Sequence, residues 1–169
     1  MPTIAIREAH GDKDLDNVRR LMREYGDHLA NNPSGAASIC LQGYEEELAR
    51  LPEGYVTILL AEVDGKLAGC VALRKITRPE RACEMKRLWV SAGSRGLQLG
   101  RRLVEEALTW AERNGFEAMY LDTVPAAMPE ANKLYASFGF RPVDRYNRNN
   151  VAGVEFFSRP IRPASDNSR

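Results

Sequence analysis

The sequence predicts an α/β protein with one mixed sheet and helices on both of its faces. Two observations carry this prediction: hairpin-like β segments come first in the chain, and a strand–helix–strand unit follows them. Hairpins give antiparallel neighbours, whereas a strand–helix–strand unit gives a parallel pair through a right-handed crossover. The chain has seven β segments, so we expect a mostly antiparallel seven-strand sheet with one central parallel pair.

The segments before the crossover follow from apolar periodicity and from turn residues. In order they are strand 3–7, a helix that Asp12 or Asp14 caps and that ends in 31–35, helix 44–51, and strands 56–63, 66–74 and 82–90. Ile4 and Ile6 alternate as in a strand, while the apolar residues of the first helix recur every three or four positions. Asp64-Gly65 is typical of a type I′ turn and predicts a hairpin.

The second half of the chain reads as a crossover followed by short elements. In order these are helix 97–113, strand 118–123, helix 129–137, and strands 140–143 and 154–158. Asn114-Gly115 closes the longer helix and Gly139 ends the shorter one. Residues 1–160 are therefore predicted to form one domain, and the polar segment 161–169 a flexible C-terminal tail.

Composition excludes several classes of protein. The 169 residues are 44% hydrophobic and 28% charged, which is the usage of a globular domain and not of a disordered chain. Twenty-four Lys and Arg against 23 Asp and Glu leave a formal net charge of +1, so charge gives no reason to expect a nucleic acid or an anionic membrane as partner.

Targeting and redox features predict a cytoplasmic protein without a metal. The N-terminus lacks a basic region followed by an apolar block, and the longest apolar stretch, about 55–61, is too short to span a bilayer. The cysteines are odd in number (Cys40, Cys70 and Cys83), which favours free thiols in a reducing compartment. No CxxC or HxxxH spacing is present, so we expect no metal site.

The segment 90–101 is a candidate phosphate-binding loop. It joins a strand to a helix, and a helix N-terminus offers unpaired backbone N–H groups. Gly96 and Gly100 would let a ligand approach the backbone, and Arg95 and Arg101 add positive charge. From these residues alone, a pyrophosphate site and an ordinary tight turn remain equally good interpretations. Neither a Walker A loop nor a dinucleotide fingerprint is present.

Two linked motifs resemble those of the GNAT N-acetyltransferases. Residues 83–90 followed by 95–103, CEMKRLWV…RGLQLGRRL, are similar to the acetyl-CoA motif of that family. Residues 131–140, ANKLYASFGF, are similar to its second motif, AxxLYxxxGF. The separation and the element order also match, so the resemblance covers nearly the whole chain. It implies the GNAT fold and acetyl-CoA as cofactor.

The resemblance implies a set of cofactor-binding residues, and the sequence departs from the family at two positions. The set is Leu88, Trp89, Val90, Arg95, Gly96, Leu97, Gln98, Leu99, Gly100, Arg101, Leu134 and Tyr135. Gln98 stands where the family has its middle glycine; its side chain could crowd the pyrophosphate, change the path of the loop or donate a hydrogen bond. Met128 stands where the family often has Asn, so a contact made by that Asn is not expected.

Acetyl transfer to an amine needs a base for the ammonium and an acid for the thiolate. The resemblance implies Glu84 as the base, acting through water; it would share a strand face with Leu88, four residues later. The alternative is a glutamate that only pairs with Lys86 or Arg87, or that is merely solvated. The resemblance implies Tyr135 as the acid, the alternative being a core tyrosine. The backbone amide near Leu88 would serve the oxyanion.

Acceptor-binding candidates lie on the first two predicted helices, on strands 82–90 and 118–123, and in the segment before the last strand. They are Tyr25, His28, Tyr44, Arg87, Asp122 and Tyr146. Tyr25 and His28 are three residues apart and share a helix face. Arg87 could orient an acidic substrate or be a surface charge, and the polar run 145–150 could be a substrate loop or a plain surface loop.

Two functions remain as hypotheses. The first is direct transfer of an acetyl group from acetyl-CoA to a primary amine of a small molecule, a peptide or a protein, within a ternary complex. The second is a non-catalytic acyl-CoA sensor with the same fold. The sequence does not identify the acceptor, and the chain could form a homodimer.

Overall fold

The structure is a computed structural model that describes residues 1–32 and 41–161, with the backbone only for 41 and 42. Its elements are β1 Ile4–Glu8, α1 Gly11–Asn31, α2 Leu41–Ala49, β2 Thr57–Val63, β3 Lys66–Ile76, β4 Ala82–Val90, α3 Leu99–Arg113, β5 Ala118–Thr123, α4 Pro129–Ser137, β6 Arg141–Pro142 and β7 Glu155–Pro160. A short 3-10 turn, Ala92–Ser94, lies between β4 and α3.

The seven strands form one sheet in the order β1-β2-β3-β4-β5-β7-β6. Five of the six neighbouring pairs are antiparallel and β4–β5 is parallel, which confirms the predicted mixed sheet and its crossover through α3. The β2–β3 hairpin turns at Asp64 and Gly65, both with positive φ, as the predicted type I′ turn requires.

Two apolar clusters cover the two faces of the sheet. On one face α3 contributes Leu99, Leu103 and Val104 to a cluster with strand residues such as Leu73 and Met85. On the other face α1 and α2 pack through a second cluster, which contains Val18, Leu21, Met22, Leu48 and Leu60. The predicted arrangement of helices on both faces is therefore confirmed, because each strand offers alternate side chains to each cluster.

The parallel pair β4–β5 is short. Register pairs link only Ala82 with Ala118, Cys83 with Met119, and Glu84 with Tyr120. Beyond Glu84, no described strand pairs with the β5-facing edge of β4. The two strands therefore part where β4 leads to α3, and a gap opens in the middle of the sheet.

A β-bulge interrupts β4 in this unpaired part. Cys70 pairs with Trp89 and Ala72 with Lys86, so Val71 faces two residues of β4, and Arg87 adopts a left-handed φ of 60°. The expectation that Glu84 and Leu88 share a face is wrong for this reason. Leu88 packs in the cluster under α3, whereas Glu84 faces the side of α1 and α2.

Most element boundaries differ from the predicted ones by one to three residues, and three of the differences have a structural reason. Asp14 does not precede α1 but lies in its first turn, where its carboxylate accepts the His10 backbone N–H at 2.8 Å. Helix α3 starts at Leu99 and not at 97, because Gln98 holds a left-handed conformation. Ile161, assigned to the tail, is 5% exposed and its N–H donates to the Glu117 carbonyl. The rest of the predicted tail, 162–169, lies outside the described residues.

The described residues contain neither a membrane-spanning helix nor a cluster of metal ligands. No helix in 1–32 or 41–161 is both long and apolar enough to cross a bilayer. Within the same ranges, no three His, Cys, Asp or Glu side chains gather as a metal ion would require.

Candidate active site

The opening between β4 and β5 leads into two adjoining clefts. We call the first the α3 cleft: it has a volume of about 470 Å³ and lies between the end of β4, the start of α3 and the start of α4. Its lining residues are His28, Asn32, Leu88, Trp89, Val90, Arg95, Gly100, Ala127, Met128, Pro129, Glu130, Ala131 and Leu134.

The loop before α3 presents backbone N–H groups to this cleft. The first N–H groups of α3 have no acceptor within the helix, and no described side chain caps them. Gly96 has φ of 90° and Gln98 of 57°, so Gln98 keeps the backbone turn of a glycine while its side chain stays exposed. A Cβ at Gly100 would meet only Leu134 at 3.4 Å, so the protein's own packing leaves this position open.

Nine of the twelve predicted cofactor-binding residues divide into three groups; of the other three, Gly96 and Gln98 shape the loop without lining either cleft, and Tyr135 lines the second cleft described below. Leu88, Trp89, Val90, Arg95, Gly100 and Leu134 line the α3 cleft. Leu97 and Leu99 turn their side chains into the core, so only their backbone is available to a ligand. Arg101 donates to the Ser137 hydroxyl at 3.1 Å and lies over the Phe138 ring, and it thereby ties α3 to α4.

Trp89 holds an unpaired polar atom at this cleft. Its side chain is 7% exposed, and its Nε1 is buried without a hydrogen-bond partner among the described residues. His28 and the Arg95 guanidinium contact the Trp89 ring, at 5.2 Å and 5.6 Å between centres. A buried donor without an acceptor costs stability, so this tryptophan is held in place by its packing and not by a hydrogen bond with a described residue.

The second cleft, the Glu84 cleft, has a volume of about 500 Å³ and lies between α1, α2, β4, the end of β5 and residues 147–154. Four basic and three acidic side chains line it: Arg74, Lys86, Arg87 and Arg148, with Glu47, Glu84 and Asp122. The two clefts share Leu88, Ala127 and Met128, so they meet at the bulged end of β4.

Glu84 is the most buried carboxylate of the second cleft, at 3% exposure. Its Oε2 accepts hydrogen bonds from the Tyr146 hydroxyl at 2.5 Å and from Asn147 Nδ2 at 3.1 Å. Its Oε1 lies 3.5 Å from Arg74 Nε and 3.7 Å from Lys86 Nζ, as an ion pair without a hydrogen bond. Glu84 is therefore fixed by neutral donors on one oxygen and faces cations with the other.

Asp122 lies beside Glu84 and shares its partners. Asn147 Nδ2 donates to Asp122 Oδ2 at 2.6 Å as well as to Glu84, and Lys86 Nζ lies 3.9 Å from Asp122 Oδ1. Tyr146 stands behind Glu84 and does not itself line the cleft. Burial, followed by the Glu84 carboxylate, raises the pKa of Tyr146, so its hydroxyl remains a neutral donor.

Arg87 forms a buried bidentate ion pair with Glu47 of α2. Its Nε and Nη2 donate to the two Glu47 oxygens at 3.1 and 3.0 Å, and its guanidinium lies over the rings of Tyr44 and Tyr25. Burial alone would raise the pKa of Glu47, but the hydrogen bonds from Arg87 hold it below its usual range. Arg87 is thus not the surface charge that was one of its two sequence interpretations.

Tyr135 on α4 and the acceptor-binding candidates Tyr25 and His28 on α1 line the two clefts from different elements. Tyr135 of α4 lines the Glu84 cleft, and its hydroxyl forms no hydrogen bond with a described residue. Burial raises the pKa of Tyr135, which keeps the hydroxyl protonated. Tyr25 lines the Glu84 cleft, whereas His28 lines the α3 cleft, so their common helix face spans both.

Sequence reasoning missed several residues of the clefts. Arg74 and Glu47 read as ordinary charges of a strand and of an acidic helix, and Asn147 as one residue of a polar run. Only the register of β3 against β4, and the return of residues 146–147 to Glu84, place them in the site. The polar run just before the last strand was a sequence signal for Asn147 alone.

Comparison with known proteins identifies the family. Residues 18–140 match the acetyltransferase (GNAT) family. An uncharacterized N-acetyltransferase of Schizosaccharomyces pombe is 33% identical over 158 residues, covering 90% of this chain and 92% of the relative. A GNAT-family acetyltransferase of Staphylococcus aureus has a similar structure, with a TM-score of 0.75 and 18% identity over 95% of this chain and 100% of the other.

A third similar protein was solved with a ligand. The GNAT-family N-acetyltransferase YhbS of Escherichia coli, in complex with CoA, has a TM-score of 0.67 and 22% identity over 96% of this chain and 83% of its own. The fold, the match over most of the chain and the relative of almost equal length agree. The chain belongs to the acetyltransferase (GNAT) family.

Proposed function

We propose that this protein transfers an acetyl group from acetyl-CoA directly to a primary amine of a small molecule or a peptide, within a ternary complex. The observation that carries the proposal is the meeting of the α3 cleft and the Glu84 cleft at Leu88, Ala127 and Met128. A donor in the first cleft and an acceptor in the second would have their reacting groups at this junction.

The α3 cleft suits coenzyme A. Backbone N–H groups at residues 96–101 would bind the pyrophosphate, with Arg95 beside them. The unpaired edge of β4, including Leu88 and Val90, would pair with the amide groups of the pantetheine arm as a sheet edge pairs with a strand. YhbS, which has a similar fold, was solved in complex with CoA, and this supports CoA as the kind of ligand. When bound, acetyl-CoA supplies an activated acetyl thioester.

Side chains of the Glu84 cleft would manage the protons. Glu84 is the proposed base and receives the proton of the acceptor's ammonium through a water molecule. Tyr135 is the proposed acid, because its buried hydroxyl stays protonated and has no described partner to compete for the proton. The Leu88 backbone N–H would donate to the carbonyl oxygen at the junction. Tyr25, Arg87 and Asp122 would line the acceptor, with Tyr146 behind Glu84 and His28 on the donor side.

The test combines binding and turnover. Calorimetry should show acetyl-CoA binding that weakens at least tenfold in Gly100→Asp, because the carboxylate adds bulk and a like charge beside the pyrophosphate. Gly93→Asp makes the same change at a residue that does not line the cleft and has open space for a Cβ, so it should bind normally. Release of free thiol from acetyl-CoA with a panel of amines should then reveal the acceptor.

The outcomes separate the two hypotheses. Equal affinity in Gly100→Asp would remove the loop from the site. Normal binding of acetyl-CoA with no thiol release for any amine, amino acid or peptide would favour an acyl-CoA sensor over the enzyme. Homodimer formation and a cytoplasmic location remain proposals, to be tested by light scattering and by imaging of a tagged protein.

A further inference from the structure

The charges of the Glu84 cleft restrict the kind of amine that it can accept. The Arg87–Glu47 pair is internally neutral, because each oxygen of Glu47 receives a hydrogen bond from the guanidinium. The remaining charges are Glu84 and Asp122 against Arg74, Lys86 and the exposed Arg148. The interior is therefore balanced before any acceptor enters, with one further cation at the mouth.

Two carboxylate oxygens at this site are available to an ammonium. Glu84 Oε1 and Asp122 Oδ1 accept no hydrogen bond from a described residue. Glu84 Oε1 lies 3.5 Å from Arg74 Nε and 3.7 Å from Lys86 Nζ, and Asp122 Oδ1 lies 3.9 Å from Lys86 Nζ. Their partner oxygens are already held by Tyr146 and Asn147. An ammonium, or the water that relays its proton, would thus find two carboxylate oxygens that are fixed in place and accept no hydrogen bond from the described part of the chain.

Arg74 provides the complementary positive group. Its side chain lines the cleft and is 41% exposed, and its buried Nε has no hydrogen-bond partner among the described residues although Glu84 Oε1 is 3.5 Å away. The Tyr55 ring lies 5.8 Å behind the guanidinium and limits where it can move. A guanidinium with unused donors at the wall of a cleft is suited to a carboxylate ligand.

We propose, building on the acetyltransfer proposed above, that the acceptor is a free α-amino acid or a similarly small amino-carboxylate. Its amine would lie at Glu84 and Asp122, with the relaying water between the amine and Glu84, and its carboxylate would bind Arg74. An α-amino acid carries both charges on the same carbon, which matches a carboxylate and a guanidinium that lie 3.5 Å apart. A zwitterion leaves the charge of the cleft unchanged. A polyamine would instead add several positive charges next to Arg74, Lys86 and Arg148.

The experiment compares acceptors that differ in one charge. Thiol release from acetyl-CoA is measured with α-amino acids, with the corresponding α-carboxamides and with spermidine. We expect kcat/KM for an amino acid to exceed that for its carboxamide by about 10–100-fold, as a charge-assisted contact to a carboxylate would give. Arg74→Gln should abolish this preference mainly through KM, and Arg74→Lys should restore part of it. Arg78→Gln, an exposed arginine outside both clefts, should keep it.

A binding measurement separates this inference from the function on which it rests. Calorimetry with unacetylated CoA present needs no turnover, and it should show amino-acid binding that is lost in Arg74→Gln while thermal unfolding is unchanged. Thiol release that is equal for acid and carboxamide, or fastest with spermidine, would overturn the amino-acid proposal and leave the transferase intact. Amino-acid binding that depends on Arg74 but never leads to thiol release would contradict the transferase alone.

Discussion

At the scale of single residues, the site depends on a few side chains held in unusual surroundings. Glu84 is buried, and a buried carboxylate is costly unless it is hydrogen-bonded or paired with a cation. Tyr146 and Asn147 meet this need by donating hydrogen bonds to one of its oxygens. The carboxylate is thereby oriented in advance of any ligand. The proposal that Glu84 is the base rests on this orientation together with its place at the end of the paired part of β4.

Replacing Glu84 by Gln tests that role. The variant keeps the shape of the side chain and can still accept from Tyr146, but it cannot take up a proton. We expect kcat to fall by about 10²–10⁴ with acetyl-CoA affinity unchanged. Full activity at neutral pH would mean that the amine arrives deprotonated and that positioning alone promotes the reaction.

Replacing Tyr135 by Phe removes one hydroxyl and no packing. Burial raises the pKa of Tyr135 above its usual value of about 10, so the acid should stay protonated at every pH below that value. In that range, deprotonation of Tyr135 should cause no loss of wild-type kcat. Tyr135→Phe should lower kcat throughout this range, whereas Tyr120→Phe, on β5 outside both clefts, should not. Wild-type turnover in Tyr135→Phe would reduce this residue to packing against Phe140.

Gln98 stores strain that a glycine would release. A side chain in the left-handed region costs about 1 kcal/mol, and Gln98 has φ of 57° and ψ of 31°. Gln98→Gly should therefore be about 1 kcal/mol more stable than Gln98→Ala in urea unfolding, since only alanine keeps the strain. If the two variants unfold at the same denaturant concentration, the loop does not hold this conformation in solution.

At the scale of elements, the bulge in β4 creates the site. It reverses the alternation between Lys86 and Leu88, so that Arg87 faces α2 while Leu88 packs under α3. The same distortion coincides with the loss of pairing to β5 after Glu84. One irregular strand thus supplies a free backbone edge to the first cleft and a row of charged side chains to the second.

The Arg87–Glu47 pair should secure α2 against this strand. Glu47→Gln leaves the buried guanidinium without a full countercharge, and we expect a loss of about 2–3 kcal/mol of unfolding free energy. The neighbouring Glu46 is exposed, so Glu46→Gln should change stability by less than about 0.5 kcal/mol. Equal effects in the two variants would show that the pair contributes no more than a surface charge.

At the scale of the whole molecule, two clefts on one opening favour simultaneous binding of donor and acceptor. Cys70 and Cys83 are buried, line neither cleft, and have pKa values that burial raises to about 12, so neither suits a covalent acetyl carrier. Cys40 lies outside the described residues. Direct transfer therefore remains the proposed route.

Kinetics and mass measurement test direct transfer. Initial velocities at varied donor and acceptor should give intersecting double-reciprocal lines, and mass spectrometry of the protein with acetyl-CoA alone should detect no acetylated protein. Cys40→Ser should be as active as the wild type. Parallel lines, or an acetyl group on the protein that Cys40→Ser abolishes, would instead indicate a covalent intermediate.

The sequence by itself determined the order of elements, the parallel crossover and the family, because these depend on local periodicity, turn residues and two linked motifs. The tertiary structure decided which side chains share a face of the sheet and which charged side chains meet in one cleft. A single bulge at Arg87 separates Glu84 from Leu88, and contacts across the sheet bring Arg74, Glu47 and Asn147 to the same cleft. Alternation along a strand is a local property, whereas a bulge and the meeting of distant charges arise from the register between strands, which no short stretch of sequence contains.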